Sequence, residues 1–270
     1  ESKYSNGKAK GLDISYYYDG TIKHEGWTRN DERQSDWHFY YGDGTPQSHR
    51  YYINSQLHGE QEYFGVGGLL NETKKYDLNN LLESVFYDTK GEIRERVELP
   101  NSTGPYTSHY TNGKIYFSGH YKDGDANGNY VWNYFSGNKM TDGQYNDDER
   151  DGAWTWFFED GNVDTKGFYH SGKRDSIWNG YHRNGKLAQV REYFLGESHG
   201  DWKYYYENGQ LELERSYYFG DAHGTATYYS PDGQVQHIRY YDYGRMVGYS
   251  YYGTDGKLMD TIPIENETVV

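Results

Sequence analysis

Glycine recurs along the chain in two locked phases. One set closes an aromatic run, in most copies directly after Asp or Asn: Gly20, Gly44, Gly68, Gly91, Gly113, Gly137, Gly161, Gly185, Gly209, Gly233 and Gly256. Successive members lie 22 to 24 residues apart. Nine residues before each is a second slot, held by Gly11, Ser35, Gly59, Leu82, Gly104, Gly128, Gly152, Ser176, Gly200, Gly224 and Val247. A period this short and persistent means that one supersecondary unit is repeated along the whole chain.

Between the two slots the pattern is that of a strand. In Gly200–Gly209, the side chains of Trp202, Tyr204 and Tyr206 share one face and Tyr205 takes the other, because side chains alternate across a pleated strand. Aromatic residues suit such surfaces. Asp-Gly or Asn-Gly then supplies a tight turn, since both residue types tolerate positive φ. A second strand follows. Two residues after the turn glycine comes an aliphatic residue, as in Ile22, Val163, Leu187 and Leu211, and eight after it a tyrosine, as in Tyr169, Tyr193 and Tyr217. Their even offset predicts that both face the same side. A polar loop such as Leu195–Gly200 leads to the next unit.

A single hairpin exposes both its faces and cannot fold alone, so neighbours must share burial. The expected fold is therefore all-β: an elongated, twisted antiparallel sheet of about eleven consecutive β-hairpin repeats, single-layered or open and solenoid-like. About twenty-two strands at ~4.8 Å spacing would make it on the order of 100 Å long. Residues 1–270 read as a single repeat domain. A kink is expected near 99–105, where Leu82 replaces the first-slot glycine upstream and Pro100 and Pro105 interrupt the strand pattern.

Composition agrees. The chain has 34 Tyr and 34 Gly and is 19% aromatic, so rings rather than aliphatic side chains must supply the packing. The net charge of −14 disfavours nucleic acid and anionic lipid surfaces. No apolar stretch reaches the length of a membrane-spanning helix, so direct membrane insertion is not expected. Without cysteine there is no disulfide, thiolate metal site or thiol nucleophile. The chain opens at Glu1 without Met, so a processed N-terminus is expected and a removed export signal stays open.

The unit Gly-x-Trp-x-x-Tyr-Tyr-x-Asn-Gly-Lys-Leu, followed by Tyr and a glycine loop, resembles the MORN-repeat variant of bacterial β-hairpin repeat proteins. The resemblance covers roughly residues 9 to 264 and is closest at 150–172 and 198–220. It implies consecutive hairpins in one sheet and a role as scaffold or partner-binding surface. It also implies two further associations, membranes and antitoxins, neither with a residue motif found in this chain.

No catalytic constellation emerges, and an enzyme is not expected. His58, His199 and His223 hold the same slot before the first glycine, which repeat spacing explains as surface-loop histidines. Asp123–Gly128 opens like a calcium loop, but its twelfth position is Tyr134 rather than the bidentate Glu such a loop needs, so calcium is not expected. No cofactor or metal is expected either.

The rings carry the functional expectation. The fifth position after the first slot places Tyr16, Tyr40, Phe157, Tyr181, Tyr205, Tyr229 and Tyr252 on the face opposite Trp37, Trp154, Trp178 and Trp202. Such stripes suit a protein partner, because Tyr and Trp are enriched at interface hot spots. The leading expectation is a non-enzymatic protein-binding scaffold or accessory subunit of a larger, cell-envelope complex, periplasmic or otherwise extracytoplasmic. Asp175–Ile177 and Asp260–Ile262 resemble an O-glycosylation tripeptide of the Bacteroidota periplasm. The alternatives are a cytoplasmic antitoxin-like inhibitor and a carbohydrate-binding module that uses the aromatic stripes.

Overall fold

The computed structural model describes residues 4–5, 7–65, 67–110 and 112–264. It is all-β, with two large antiparallel sheets of hairpins, neither closed into a barrel. Two compact units divide the chain, Glu1–Gly128 and Asn129–Val270. In the first, a ten-stranded sheet runs in chain order from Tyr4–Ser5 to Ile93–Glu98, with the short strand Gln56–Leu57 pairing off the main path. In the second, strands follow chain order from Gly128–Asn133 to Leu258–Pro263.

Each repeat contains two kinds of turn. At the Asp/Asn-Gly pairs, Gly20 N–H donates to the Tyr17 carbonyl and Tyr17 N–H to the Thr21 carbonyl. Only the glycine has positive φ; Asp19, Asp43, Asp160 and Asn208 do not. The turn is therefore a four-residue turn with the glycine in the left-handed position, not a two-residue turn carried by both members of the pair. The aspartate instead accepts hydrogen bonds two residues on, as Asp19 does from the Thr21 backbone and hydroxyl. True two-residue turns occupy the segments expected to be polar loops. Strand Leu187–Phe194 passes to Glu197–Tyr205 through Leu195 and Gly196 alone, at φ 48° and 95°.

Two bulges per repeat shape the strands. Beside the Asp/Asn-Gly turn, Phe157 pairs with Val163 but Trp156 pairs with Thr165, so Asp164 is an extra residue. The same shift recurs at Tyr16, Tyr181, Tyr205 and Tyr229. It reverses the alternation. Val163 thus faces with Phe157, away from Tyr169, and the expectation that the aliphatic residue and the tyrosine share a side fails. The second bulge sits at the first glycine slot. Gly152, Gly200 and Gly224 have φ of 79°, 64° and 85°, and Ser35 and Ser176 adopt 59° and 58° in the same place. There the register slips by two residues, as from Asp142–Thr155 to Gln144–Asp151. Where Leu82 or Val247 holds the slot, the backbone stays at negative φ and the slip is one.

The slip at Gly152, Ser176 and Ser35 lets an indole lie flat across the preceding strand. A Cβ on Gly143, Gly167 or Gly26 would fall 2.1 Å from the ring of Trp154, Trp178 or Trp37. The indole N–H then donates to the next carbonyl along: Trp154 to Gln144 at 3.0 Å, Trp178 to Phe168 at 3.1 Å, Trp37 to Trp27 at 3.1 Å. The slot six residues after the turn glycine is thus a third repeat position. In four other repeats it is Arg50, Arg191, Arg215 or Arg239, whose guanidinium lies over a neighbouring ring, as Arg215 over Tyr217 and Tyr241 at 4.9 Å.

In the second unit these indoles alternate with the tyrosines in one buried row of Trp154, Tyr169, Trp178, Tyr193 and Trp202. The rings meet edge to face, Tyr169 and Trp178 at 5.0 Å and 89°. Arg150 and Arg174 cap the row, each stacking on an indole and donating to a tyrosine hydroxyl at 3.1 Å.

In the first unit the ladder breaks after Ile93–Glu98. Pro100–Ser102 form a 3-10 turn, and the hairpin Gly104–His109/Ile115–Lys122 is not paired to the ten-stranded sheet. An aliphatic and aromatic core of Leu81, Val85, Phe86, Leu99 and Tyr106 fills this place, where Leu82 has replaced glycine. The Tyr106 hydroxyl donates to Glu72 at 2.7 Å and accepts from Ser84 at 3.2 Å. Burial, reinforced by the Glu72 carboxylate, pushes the Tyr106 phenol far above its ordinary value.

Candidate functional site

The seven rings singled out by sequence lie on the face opposite the indoles, as their registers require. The chain covers much of that face itself. Tyr40 donates to Glu25 at 2.9 Å, Lys139 lies 5.5 Å from the Phe157 ring, and Lys166 lies 5.6 Å from the Tyr181 ring. Tyr229 sits beside the Lys203–Glu214 ion pair, and burial raises its phenol. Tyr205 is half-buried, and Tyr252 lines a shallow cleft with Val235 and Ser230. Tyr16 alone of the seven is exposed. A further cleft, of about 610 Å³, opens in the first unit among Leu70, Tyr87, Arg94 and Asn112.

The concentrated exposed aromatic surface is elsewhere, at the two-residue turns of the second unit. Phe194, Tyr218, Phe219 and Tyr243 are all exposed, with Tyr243 at 61%. They make one continuous cluster. Phe194 meets Phe219 at 5.8 Å, Tyr218 meets Phe219 at 4.8 Å, and Tyr218 meets Tyr243 at 6.2 Å. His199 and His223 fill the spaces between, at 5.1 Å from Phe219 and 4.6 Å from Tyr243. These histidines stand on strands Glu197–Tyr205 and Asp221–Tyr229, not in loops.

The backbone beneath this cluster is strained. Leu195, Phe219 and Tyr243 hold the first turn position at φ 48°, 45° and 42°. Asn30, Asn54 and Ser171 hold the same position in other repeats, and Asn is the non-glycine residue best suited to that region. Phe219 and Tyr243 stay 49% and 61% exposed, so burial offsets only part of the cost. Sequence reasoning missed the site because it read these segments as polar loops. The available signal was the bulky residue before Gly196, Gly220 and Gly244, where most other repeats carry Asn, Asp or Ser.

The family model described as the MORN repeat variant matches residues 102–123, 150–173, 198–217 and 222–243. These four stretches match the MORN repeat variant. Tyr243 is the last residue of the final matched stretch, and Tyr218 and Phe219 lie between the last two stretches. MORN repeats are in general protein-binding repeats. No curated protein sequence matches the chain. Among solved structures, the chain is similar to "TcdB2-TccC3-Cdc42" at 9% identity and TM-score 0.20, covering 91% of this chain and 16% of that one. It is likewise similar to "TcdB2-TccC3-TEV" at 9% identity and TM-score 0.20, covering 96% and 17%. The chain thus spans about one sixth of the length of these two structures.

Proposed function

We propose that this chain is a non-enzymatic protein-binding scaffold whose main contact surface is the turn-edge cluster of Phe194, Leu195, Tyr218, Phe219 and Tyr243. The observation that carries this reading is large exposed apolar side chains on backbone that disfavours them. Interfaces are enriched in such rings, and strain kept at an exposed position points to use. The slot-five rings form a second, largely self-covered aromatic surface, of which Tyr16 is the accessible member.

An accessory place in a cell-envelope assembly fits this reading. Ser176 and Thr261, the hydroxyl residues of the two tripeptides, are both exposed on strands.

The test is comparative affinity capture with wild type and a Phe219→Asn/Tyr243→Asn double variant from envelope and cytosolic fractions. One protein recovered by wild type and lost by the variant, at unchanged folding, is the expected result. Equal recovery by both overturns the assignment of the surface.

A further inference from the structure

The rings of the turn-edge cluster differ from those inside the sheet in one chemical respect. Inside, cations of the chain cover the ring faces: Arg150 over Trp154 at 4.5 Å, Arg174 over Trp178 at 4.8 Å, Arg215 over Tyr217 at 4.9 Å, Arg239 over Tyr228 at 4.9 Å. Among the described residues, no Lys or Arg of the chain lies over Phe194, Tyr218, Phe219 or Tyr243. Carboxylates stand beside them instead. Glu197 Oε2 lies 2.7 Å from the Cβ position of Gly220, next to Phe219. Asp221 Oδ1 lies 3.2 Å from that of Gly244, next to Tyr243. Asp242 Oδ1 is 3.7 Å from His223 Nδ1, whose ring packs on Tyr243. Lys173 lies at the Leu195 end, near Gly196, and Arg245 follows Gly244.

We infer that the turn edge receives an arginine- or lysine-bearing segment of a protein partner, its cations lying against the exposed parts of these rings and paired with Glu197, Asp221 and Asp242. This rests on the protein-binding reading and names the chemistry of the partner. A ring face attracts a cation through its quadrupole, and a neighbouring carboxylate adds Coulomb attraction and hydrogen-bond acceptors. Arginine suits the site best, because its planar guanidinium stacks on a ring while its edge reaches a carboxylate. The net charge of −14 steers such a segment toward the protein but cannot by itself localise it. The rings do that.

Binding of fluorescent peptides to the full chain at physiological salt tests the inference. The probes are a peptide of alternating Gly and Arg, its citrulline counterpart, a Gly–Glu peptide and a maltohexaose control. The Arg peptide is expected to bind at least about tenfold more tightly than the others. Phe219→Asn/Tyr243→Asn leaves the net charge unchanged and is expected to weaken it about tenfold. A Glu197→Gln/Asp221→Asn/Asp242→Asn variant is expected to weaken it as well and to flatten its salt dependence. Equal binding by wild type and the aromatic variant would overturn the inference, because the field alone would then be acting. Citrulline, acidic or sugar probes binding as tightly as the Arg peptide would overturn it too. If the aromatic variant loses a captured protein while the Arg peptide binds neither form, the cationic assignment fails and protein binding stands.

Discussion

At the scale of residues, the fold rests on an indole lying in a space that only glycine leaves. Gly167→Ala drives a methyl into the Trp178 ring. The expected cost is about 1–3 kcal/mol, read from chemical denaturation, because a packed strand cannot move aside for it. Trp178→Phe should cost about 1–3 kcal/mol, since the Phe168 carbonyl loses its donor and the slot is underfilled. The two glycine phases were legible because they recur in nearly every repeat. The third was not, because Arg50, Arg191, Arg215 and Arg239 alternate with Gly26, Gly143 and Gly167 there, and a ring can be covered by either arrangement. The turn aspartates make a pH prediction. Hydrogen bonds from the Thr21 side chain and backbone hold Asp19 below its ordinary 3.8, and Thr45 does the same for Asp43. A depressed carboxylate stabilises the turn fully above 3.8, and that contribution disappears as pH falls through the lower, folded value. The Thr21 and Thr45 amide resonances should therefore titrate together below pH 3.8.

At the scale of elements, each strand's register is set by which residue fills the first slot. Gly or Ser at positive φ gives a two-residue slip, and Leu82 or Val247 gives one. Strand existence and turn positions could be read from Gly spacing and aromatic alternation. The bulges could not, because alternation counts residues and a bulge adds one without changing the composition. That is why Val163 was expected on the side of Tyr169 and lies on the other. The two-residue turns carry a direct prediction. Leu78 sits at φ 48° on the first-position backbone that Asn30 and Asn54 adopt in neighbouring repeats. Leu78→Asn should stabilise the chain by about 1 kcal/mol, measured by thermal or denaturant unfolding, because Asn relieves left-handed strain at little loss of burial.

At the scale of the whole molecule, the two units should respond differently to alkali. Burial raises Tyr76 and Tyr106 of the first unit well above the ordinary phenol value of 10.0. A raised phenol contributes stability that is complete below 10.0 and is lost as pH climbs toward the folded value. Hydrogen exchange measured just below and just above pH 10 should therefore show the core around Phe86 and Tyr106 loosening before the Trp154–Trp202 row. The repeat count and all-β class followed from periodicity alone; the exposed cluster did not, since its rings occupy positions where a polar turn was the ordinary reading. Its use by a partner is the central claim. The most direct test places a photo-crosslinking benzoylphenylalanine at Phe219, at Tyr243 and, as a control, at exposed Tyr18 of the first unit, in cells that make the protein. One adduct with the same protein from both Phe219 and Tyr243, and none from Tyr18, is the expected result. Adducts from Tyr18 alone, or none from Phe219 and Tyr243, would contradict it.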